Sequence, residues 1–120
     1  MRQVLLAVLL ASLLNLSAMA GDVDREAAMQ ALTQPNATLI DVRTPEEFAE
    51  GALPGAVNLE TSEFSAHIAE VAPDKDAPVV LYCRSGRRAG EAQQVLESMG
   101  YRRVINAGGY SDLLPAFDAD

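Results

Sequence analysis

The run Val79, Val80 and Leu81 constrains the fold more than any other part of the chain, because all three positions are apolar. A strand with one solvent-facing side alternates between apolar and polar residues, so an unbroken apolar run predicts a strand buried on both faces. A helix is predicted after it at 88–99, because apolar residues recur there at helical spacing and Gly100 suits a left-handed C-cap.

Predicted helices and strands alternate along the rest of the chain. Gly108 and Gly109 predict a turn before the final helix, which is expected to be interrupted near Pro115. Such alternation predicts an α/β fold, in which helices cover both faces of a parallel sheet and the site lies beyond the carboxyl ends of the strands. The remaining strands are predicted at 38–42, 56–59 and 103–106, and the remaining helices at 24–33, from Pro45 after the cap Thr44, at 62–71 and at 110–117.

Residues 1–20 have the pattern of a secretory signal peptide. Arg2 precedes an apolar stretch at 4–14, and Ala18 and Ala20 supply the small residues of a cleavage site. The stretch is shorter than the roughly 20 residues that span a bilayer, which disfavours the alternative of an uncleaved membrane anchor. We expect cleavage after Ala20, export to the periplasm, and a mature chain of residues 21–120 that forms one domain with no membrane segment.

The charge balance is acidic, with nine basic and 17 acidic residues and a formal net charge of −8. Binding to nucleic acid needs a basic surface, so nucleic acid is not expected as a partner. Salt screens repulsion of an anionic substrate beyond about 8 Å. Local charge is therefore expected to decide what binds near Cys83, and Arg84, Arg87 and Arg88 follow it closely.

Cys83 is the only cysteine, so the chain cannot form an internal disulfide. It follows the apolar run and precedes a loop of small and basic residues at 84–90. A strand that ends in such a loop before a helix directs backbone N–H groups and the helix dipole at the sulfur, which favours a nucleophilic thiolate without a histidine base. The alternative is a buried structural cysteine, and the polar loop argues against it.

His67 is the only histidine and falls on the predicted helix at 62–71, where a partly exposed surface position is the simpler interpretation. One cysteine and one histidine lack the ligand spacing of a metal site, so neither a metal nor a cofactor is expected. Glu46 and Glu47 are interpreted as favourable charges in the first turn of a helix.

Six motifs follow one another through most of residues 39–113. They are LIDVR at 39–43, PEEF at 45–48, GALPGAVNL at 51–59, VLYCRSGRRAG at 80–90, MGY at 99–101 and VINAGG at 104–109. Each is weak alone, but their order is specific. The chain resembles the rhodanese superfamily, and among its members the single-domain, exported rhodaneses of the phage-shock stress response.

This resemblance implies a central parallel five-stranded sheet with helices on both faces, and thiosulfate:cyanide sulfurtransferase activity. Cys83 would take the outer sulfur of thiosulfate as a persulfide and pass it to a thiol or to cyanide. Asp41 and Arg43 would form a structural pair that supports the loop. No cofactor is implied, and the protein is expected to be a monomer. The substrate-binding residues implied are Arg84, Ser85, Gly86, Arg87, Arg88 and Ala89, with Arg84 and Arg87 steering the donor and Arg88 holding it or bracing the loop.

Other functions stay open from the residues. Phosphatases of related fold place an arginine at the sixth position after the cysteine, whereas here Ala89 is sixth and Arg88 fifth, so the shorter loop suits sulfur better than a phosphoryl group. A persulfide carrier with little thiosulfate turnover and an interaction domain with an incidental thiol are the further alternatives. Ala52 stands where many family members have histidine, and the chain has no tryptophan, which leaves the pocket rim and the acceptor open.

Overall fold

The computed structural model describes residues 22–118, so the predicted signal peptide lies outside the described residues. Helices and strands alternate as predicted. In chain order they are α1 (Arg25–Ala31), β1 (Thr38–Asp41), α2 (Pro45–Glu50), β2 (Val57–Asn58), a short 3₁₀ turn (Thr61–Glu63), α3 (Phe64–Val71), β3 (Val79–Cys83), α4 (Arg87–Ser98), β4 (Val104–Gly109) and α5 (Tyr110–Asp118).

All strand pairs are parallel, in the order β2, β1, β3, β4. The α/β architecture is therefore confirmed, but this part of the chain has four strands where the resemblance implied five. At the outer side of β4, Val23 forms an isolated parallel bridge with Asn106, and the amide of Asp24 donates to the Asn106 carbonyl at 2.8 Å. Only one residue pairs there, because Asp24 already caps α1 by accepting a hydrogen bond from the Ala27 amide.

Two apolar clusters lie on opposite faces of the sheet, as β3 illustrates. Val79, Leu81 and Cys83 belong to one cluster, whereas Val80 and Tyr82 belong to the other. The prediction that β3 is buried on both faces is confirmed, since its residues are at most 1% exposed. Helices α3 and α4 cover the first face with Phe64, Ile68, Ala92 and Leu96, and α1 and α5 cover the second with Ala28, Ala31 and Leu113.

The sequence predicted most helix ends for the reasons that the structure shows. Thr44 and Glu47 form a reciprocal capping box at the start of α2, with Pro45 in its first turn. Gly100 follows α4 with φ 97°, as predicted.

Two predictions at the carboxyl end of the chain are wrong. Gly108 and Gly109 are the last residues of β4 and not a turn, and α5 continues through Pro115. The register between β3 and β4 shifts between Leu81 and Tyr82, which indicates a bulge in β4. Gly108, with a φ of 99°, accommodates this bulge inside the strand. Leu113, 1% exposed, anchors α5 on the sheet. Among the helices described, none is long and apolar enough to cross a bilayer.

Candidate active site

Cys83 is the last residue of β3 and lies at the carboxyl end of the sheet, where an α/β fold places its site. Its side chain is fully buried. The Gly86 amide donates a hydrogen bond to Sγ at 2.8 Å, and α4 begins at the next residue, Arg87. Gly86 has φ 95°, a left-handed conformation that turns its N–H back towards the sulfur. The loop therefore holds an amide donor and a helix N-terminus around the thiol.

Asn106 fixes the loop from the neighbouring strand. Its Nδ2 donates to the Gly86 carbonyl at 2.9 Å, and its Oδ1 accepts from the Gly108 amide at 3.0 Å. A Cβ on Gly109 would lie 2.5 Å from the Arg84 carbonyl oxygen, so the end of β4 needs a glycine to pack against the loop. Because both contacts act on the backbone, β4 sets where the Gly86 amide points.

Asp41 and Arg43 form a buried ion pair at the end of β1. Arg43 donates to both carboxylate oxygens of Asp41, at 2.6 Å for the shortest contact, and also to the Gly51 carbonyl at 2.7 Å. The hydrogen bond to Asp41 raises the pKa of Arg43 above its ordinary value. The Arg43 guanidinium stacks 4.5 Å from the ring centre of Tyr110. The pair therefore joins the end of β1 to the segment after α2 and to the start of α5.

Glu47 contacts the far end of the loop. Its carboxylate accepts from both terminal nitrogens of Arg88, at 3.0 and 3.3 Å, and from the Thr44 amide at 3.0 Å. These hydrogen bonds lower the pKa of Glu47 from 4.5 to about 2, and those from Arg88 have the largest effect. The same hydrogen bond raises the pKa of Arg88. Glu47 is thus ionised at neutral pH and balances the charge of Arg88.

The other predicted loop residues differ in exposure. The side chains of Arg84 and Arg87 are 82% and 85% exposed. Arg84 lies 4.0 Å from Glu47, and Arg87 lies 3.9 Å from Glu91 on its own helix. Ser85 is exposed and Ala89 is buried beneath the loop.

His67 lies on α3, is about half exposed, and is 3.6 Å from Glu63 and 3.8 Å from Glu70. Within the described residues, no group of three or more His, Cys, Asp or Glu side chains is arranged so that it could hold a metal ion.

A cavity of about 210 Å³ opens next to Arg84. Its walls come from the end of α2, the first loop residue and the start of α5. The lining residues are Arg43, Glu47, Glu50, Gly51, Arg84, Tyr110 and Ser111.

Two residues at the site, Glu47 and Asn106, were not among the predicted site residues. Glu47 was interpreted as a favourable charge in the first turn of a helix; it occupies that position and also pairs with Arg88, 41 positions away. Asn106 is predicted only to lie in the strand at 103–106. The sequence signal for Asn106 is its polar side chain in an otherwise apolar strand, which ends at the edge of the sheet where the site lies.

The chain is similar to known proteins over most of the described residues. Residues 24–114 match the family described as the rhodanese-like domain. The thiosulfate sulfurtransferase PspE of Escherichia coli is 43% identical over 74 residues, covering 62% of this chain and 71% of that protein. A human thiosulfate:glutathione sulfurtransferase is 34% identical over 96 residues, covering 69% and 84%.

Solved structures are also similar to this chain in fold and sequence. A rhodanese with anions from Escherichia coli superposes with a TM-score of 0.62 at 42% identity, covering 63% of this chain and 89% of that one. The human single-domain sulfurtransferase TSTD1 gives 0.59 at 31% identity, covering 72% and 88%. On the profile match, which spans nearly the whole described region, the chain belongs to the rhodanese-like domain family.

Proposed function

We propose that this protein is a thiosulfate sulfurtransferase in which Cys83 carries the transferred sulfur as a persulfide. The observation that carries the proposal is the hydrogen bond from the Gly86 amide to Sγ at 2.8 Å, inside a loop that leads directly into α4. A backbone donor and a helix N-terminus aimed at sulfur stabilise negative charge there, as a thiolate and a persulfide both require. The names of both relatives describe sulfur transfer from thiosulfate.

The reaction has two displacement steps. The Cys83 thiolate attacks the outer sulfur of thiosulfate, an S–S bond forms, the sulfur–sulfur bond of the donor breaks, and sulfite leaves with the electron pair. A nucleophilic acceptor then attacks the outer sulfur of the persulfide, and the thiolate is released. The two half-reactions balance without an external oxidant or a cofactor, and they follow the ping-pong pattern of covalent catalysis.

The loop residues have distinct proposed roles. Arg84 and Arg87, both largely exposed, attract the dianionic donor. The amides of Ser85 and Gly86, together with the first turn of α4 as far as Ala89, surround the sulfur. Arg88 braces the loop, because Glu47 already accepts hydrogen bonds from both of its terminal nitrogens.

Asp41 and Arg43 are proposed to support the loop after Cys83 indirectly, through the segment at Gly51 that lines the same cavity as Arg84. Their ion pair is buried, and Arg43 extends from it to the Gly51 carbonyl. The pairing of Arg88 with Glu47 also argues against phosphatase activity, because an arginine that is already paired with a carboxylate is poorly placed to bind a phosphoryl group.

The intact mass of the purified protein after exposure to thiosulfate tests the chemistry. The expected result is a gain of one sulfur atom on Cys83, absent in Cys83→Ser. Release of thiocyanate on addition of cyanide would then identify cyanide as a competent acceptor. Persulfide loading without turnover would favour the carrier function instead, and no loading would overturn the proposal.

Export and assembly are proposed as well. Residues 1–20 carry the predicted signal peptide, so the mature protein is proposed to begin at Gly21 and to act as a periplasmic monomer. The intact mass of protein recovered from a periplasmic fraction tests the cleavage site, and light scattering on that sample tests the monomer. A retained residue 1–20 segment would overturn the export proposal.

A further inference from the structure

The cavity next to Arg84 is a second feature of the site, distinct from the loop that surrounds the sulfur. Arg84 follows Cys83 directly, so one wall of the cavity is formed by the residue after the nucleophile, with Cα atoms about 3.8 Å apart. Its volume of about 210 Å³ lies below the roughly 300–1,000 Å³ of pockets for drug-sized ligands. A ligand of the size of a free amino acid suits it.

Four charged side chains line the cavity, and two of them are already neutralised within the protein. Arg43 pairs with Asp41, and Glu47 pairs with Arg88. The two others are exposed. Arg84 has its nearest carboxylate oxygen at 4.0 Å, beyond hydrogen-bonding distance, and within residues 22–118 Glu50 has neither an ion pair nor a side-chain hydrogen bond.

The cavity therefore offers a ligand one available cation, Arg84 in the loop after β3, and one available anion, Glu50 at the end of α2. Ser111 adds a hydroxyl group and Tyr110 an aromatic wall. Thiosulfate is a poor match for this lining, because the available carboxylate of Glu50 would repel a dianion. Cyanide has no second group with which to reach across the cavity. A ligand that carries both an ammonium group and a carboxylate can pair with Glu50 and with Arg84.

We propose that this cavity is the acceptor subsite and that it selects an aminothiol that carries both an ammonium group and a carboxylate, such as a cysteine-like amino acid. This inference rests on the proposed persulfide chemistry. The carboxylate binds Arg84, the ammonium group binds Glu50, and the thiolate attacks the outer sulfur of the Cys83 persulfide. The new bond joins the acceptor sulfur to that outer sulfur, the Cys83 S–S bond breaks, and the Cys83 thiolate is regenerated.

A matched set of small thiols tests the charges separately. Protein is loaded with thiosulfate, freed of excess donor and mixed with each thiol in single-turnover experiments that follow loss of the persulfide by mass. The thiols are L-cysteine with both charges, cysteamine with the ammonium group, 3-mercaptopropionate with the carboxylate, and 2-mercaptoethanol with neither. For each thiol, the variant rate is divided by the rate of the unmodified protein, so intrinsic thiol reactivity cancels.

Each charge-removing variant is expected to affect only the thiols that use its charge. Glu50→Gln slows discharge by L-cysteine and cysteamine about two- to fivefold, as for an exposed ion pair, and leaves 3-mercaptopropionate unchanged. Arg84→Gln slows discharge by L-cysteine and 3-mercaptopropionate to the same extent and leaves cysteamine unchanged. Glu46→Gln, an exposed glutamate outside the cavity, is the matched control and changes none.

The outcomes separate this inference from the function on which it rests. Failure of Cys83 to gain sulfur would overturn both. Complete loading followed by discharge ratios close to one for all four thiols in both variants would overturn the acceptor subsite and leave sulfur transfer standing. Slowing of every thiol alike would mark Glu50 and Arg84 as structural, and would also overturn the subsite.

Discussion

The carboxylate of Glu47 accepts hydrogen bonds from both terminal nitrogens of Arg88, at 3.0 and 3.3 Å, and thereby ties the first turn of α2 to the far end of the loop that follows Cys83. The same carboxylate closes the capping box with Thr44. One side chain thus stabilises a helix end and holds a loop 41 positions along the chain. Loss of the Glu47 carboxylate is expected to destabilise both the start of α2 and the loop that carries Arg88.

Glu47→Gln is expected to lower the free energy of unfolding by about 1–3 kcal/mol, because a charged hydrogen-bonding partner of Arg88 is removed. The pKa of Glu47 is held near 2 in the folded protein against an ordinary 4.5. A carboxyl group with a lowered pKa contributes stability that is fully present above its ordinary value and is lost as the pH falls towards the folded value. The difference between the two proteins should therefore be constant at neutral pH and shrink between about pH 4.5 and 2.

Urea unfolding at several pH values measures this difference. Glu46→Gln is the control, because Glu46 precedes Glu47 on the same helix turn and is exposed. Its effect should be within about 0.5 kcal/mol at every pH. An offset between Glu47→Gln and the unmodified protein that persists undiminished at pH 2 would contradict the assignment.

Gly86→Ala tests the conformation of the loop. At φ 95° an alanine costs about 1–2 kcal/mol, and its Cβ would lie 3.0 Å from Val23 Cγ2 and 3.3 Å from Gly108 Cα. The Val23 side chain is half exposed and can move aside, but the Gly108 contact is with backbone, so we expect the Gly86 amide that donates to Sγ to shift. We expect persulfide formation to slow about tenfold or more, as when one donor to a reacting anion is lost.

Gly55→Ala provides the matched control for the backbone strain. Gly55 has φ 81°, but a Cβ there meets nothing within 4 Å. It should cost about 1–2 kcal/mol of stability and leave the rate of sulfur loading unchanged. Stopped-flow mixing with thiosulfate measures the rates. Equal loading rates for the two variants would show that the Gly86 amide does not contribute to persulfide formation.

Local patterns in the sequence predicted the parts of the fold that local forces determine. Strand β3 and helix α4 follow from apolar periodicity, and the start of α2 follows from Thr44 and Pro45. The left-handed Gly86 was likewise predictable, because a tight turn between strand and helix requires glycine.

The supporting contacts of the site were not predictable in the same way. Glu47 already had a complete local explanation as a first-turn charge, so nothing in the sequence called for a partner such as Arg88. The pair Gly108 and Gly109 predicted a turn because consecutive glycines are typical of turns, yet the positive φ of Gly108 accommodates a bulge inside β4. Which of the two forms depends on pairing with β3, which lies more than 20 positions away.

Asp41→Asn is expected to destabilise the fold by about 3–5 kcal/mol, because it leaves the Arg43 guanidinium buried without its carboxylate. Asp76→Asn is the comparison, since the pair of Asp76 with Arg102 at 3.5 Å is more than 70% exposed on both sides. That pair should contribute at most about 1 kcal/mol. Urea unfolding of the two variants measures both, and similar losses would contradict a structural role for Asp41.

Tyr82→Phe separates stability from chemistry. The Tyr82 hydroxyl accepts the Leu53 amide at 3.0 Å, and its ring lies on the face of the sheet opposite Cys83. Removal of the hydroxyl leaves a buried N–H unpaired, at a cost of about 1–3 kcal/mol, with the rate of persulfide formation unchanged.

The same variant carries a signature at alkaline pH. Burial raises the pKa of Tyr82 above the ordinary 10, so the unfolded chain ionises before the folded one and stability falls as the pH rises above 10. Tyr82→Phe removes this contribution, so its free energy of unfolding should fall less steeply there. Urea unfolding at about pH 8 and pH 11 measures the slope. A slower sulfur transfer without any loss of stability would instead place the hydroxyl in the reaction.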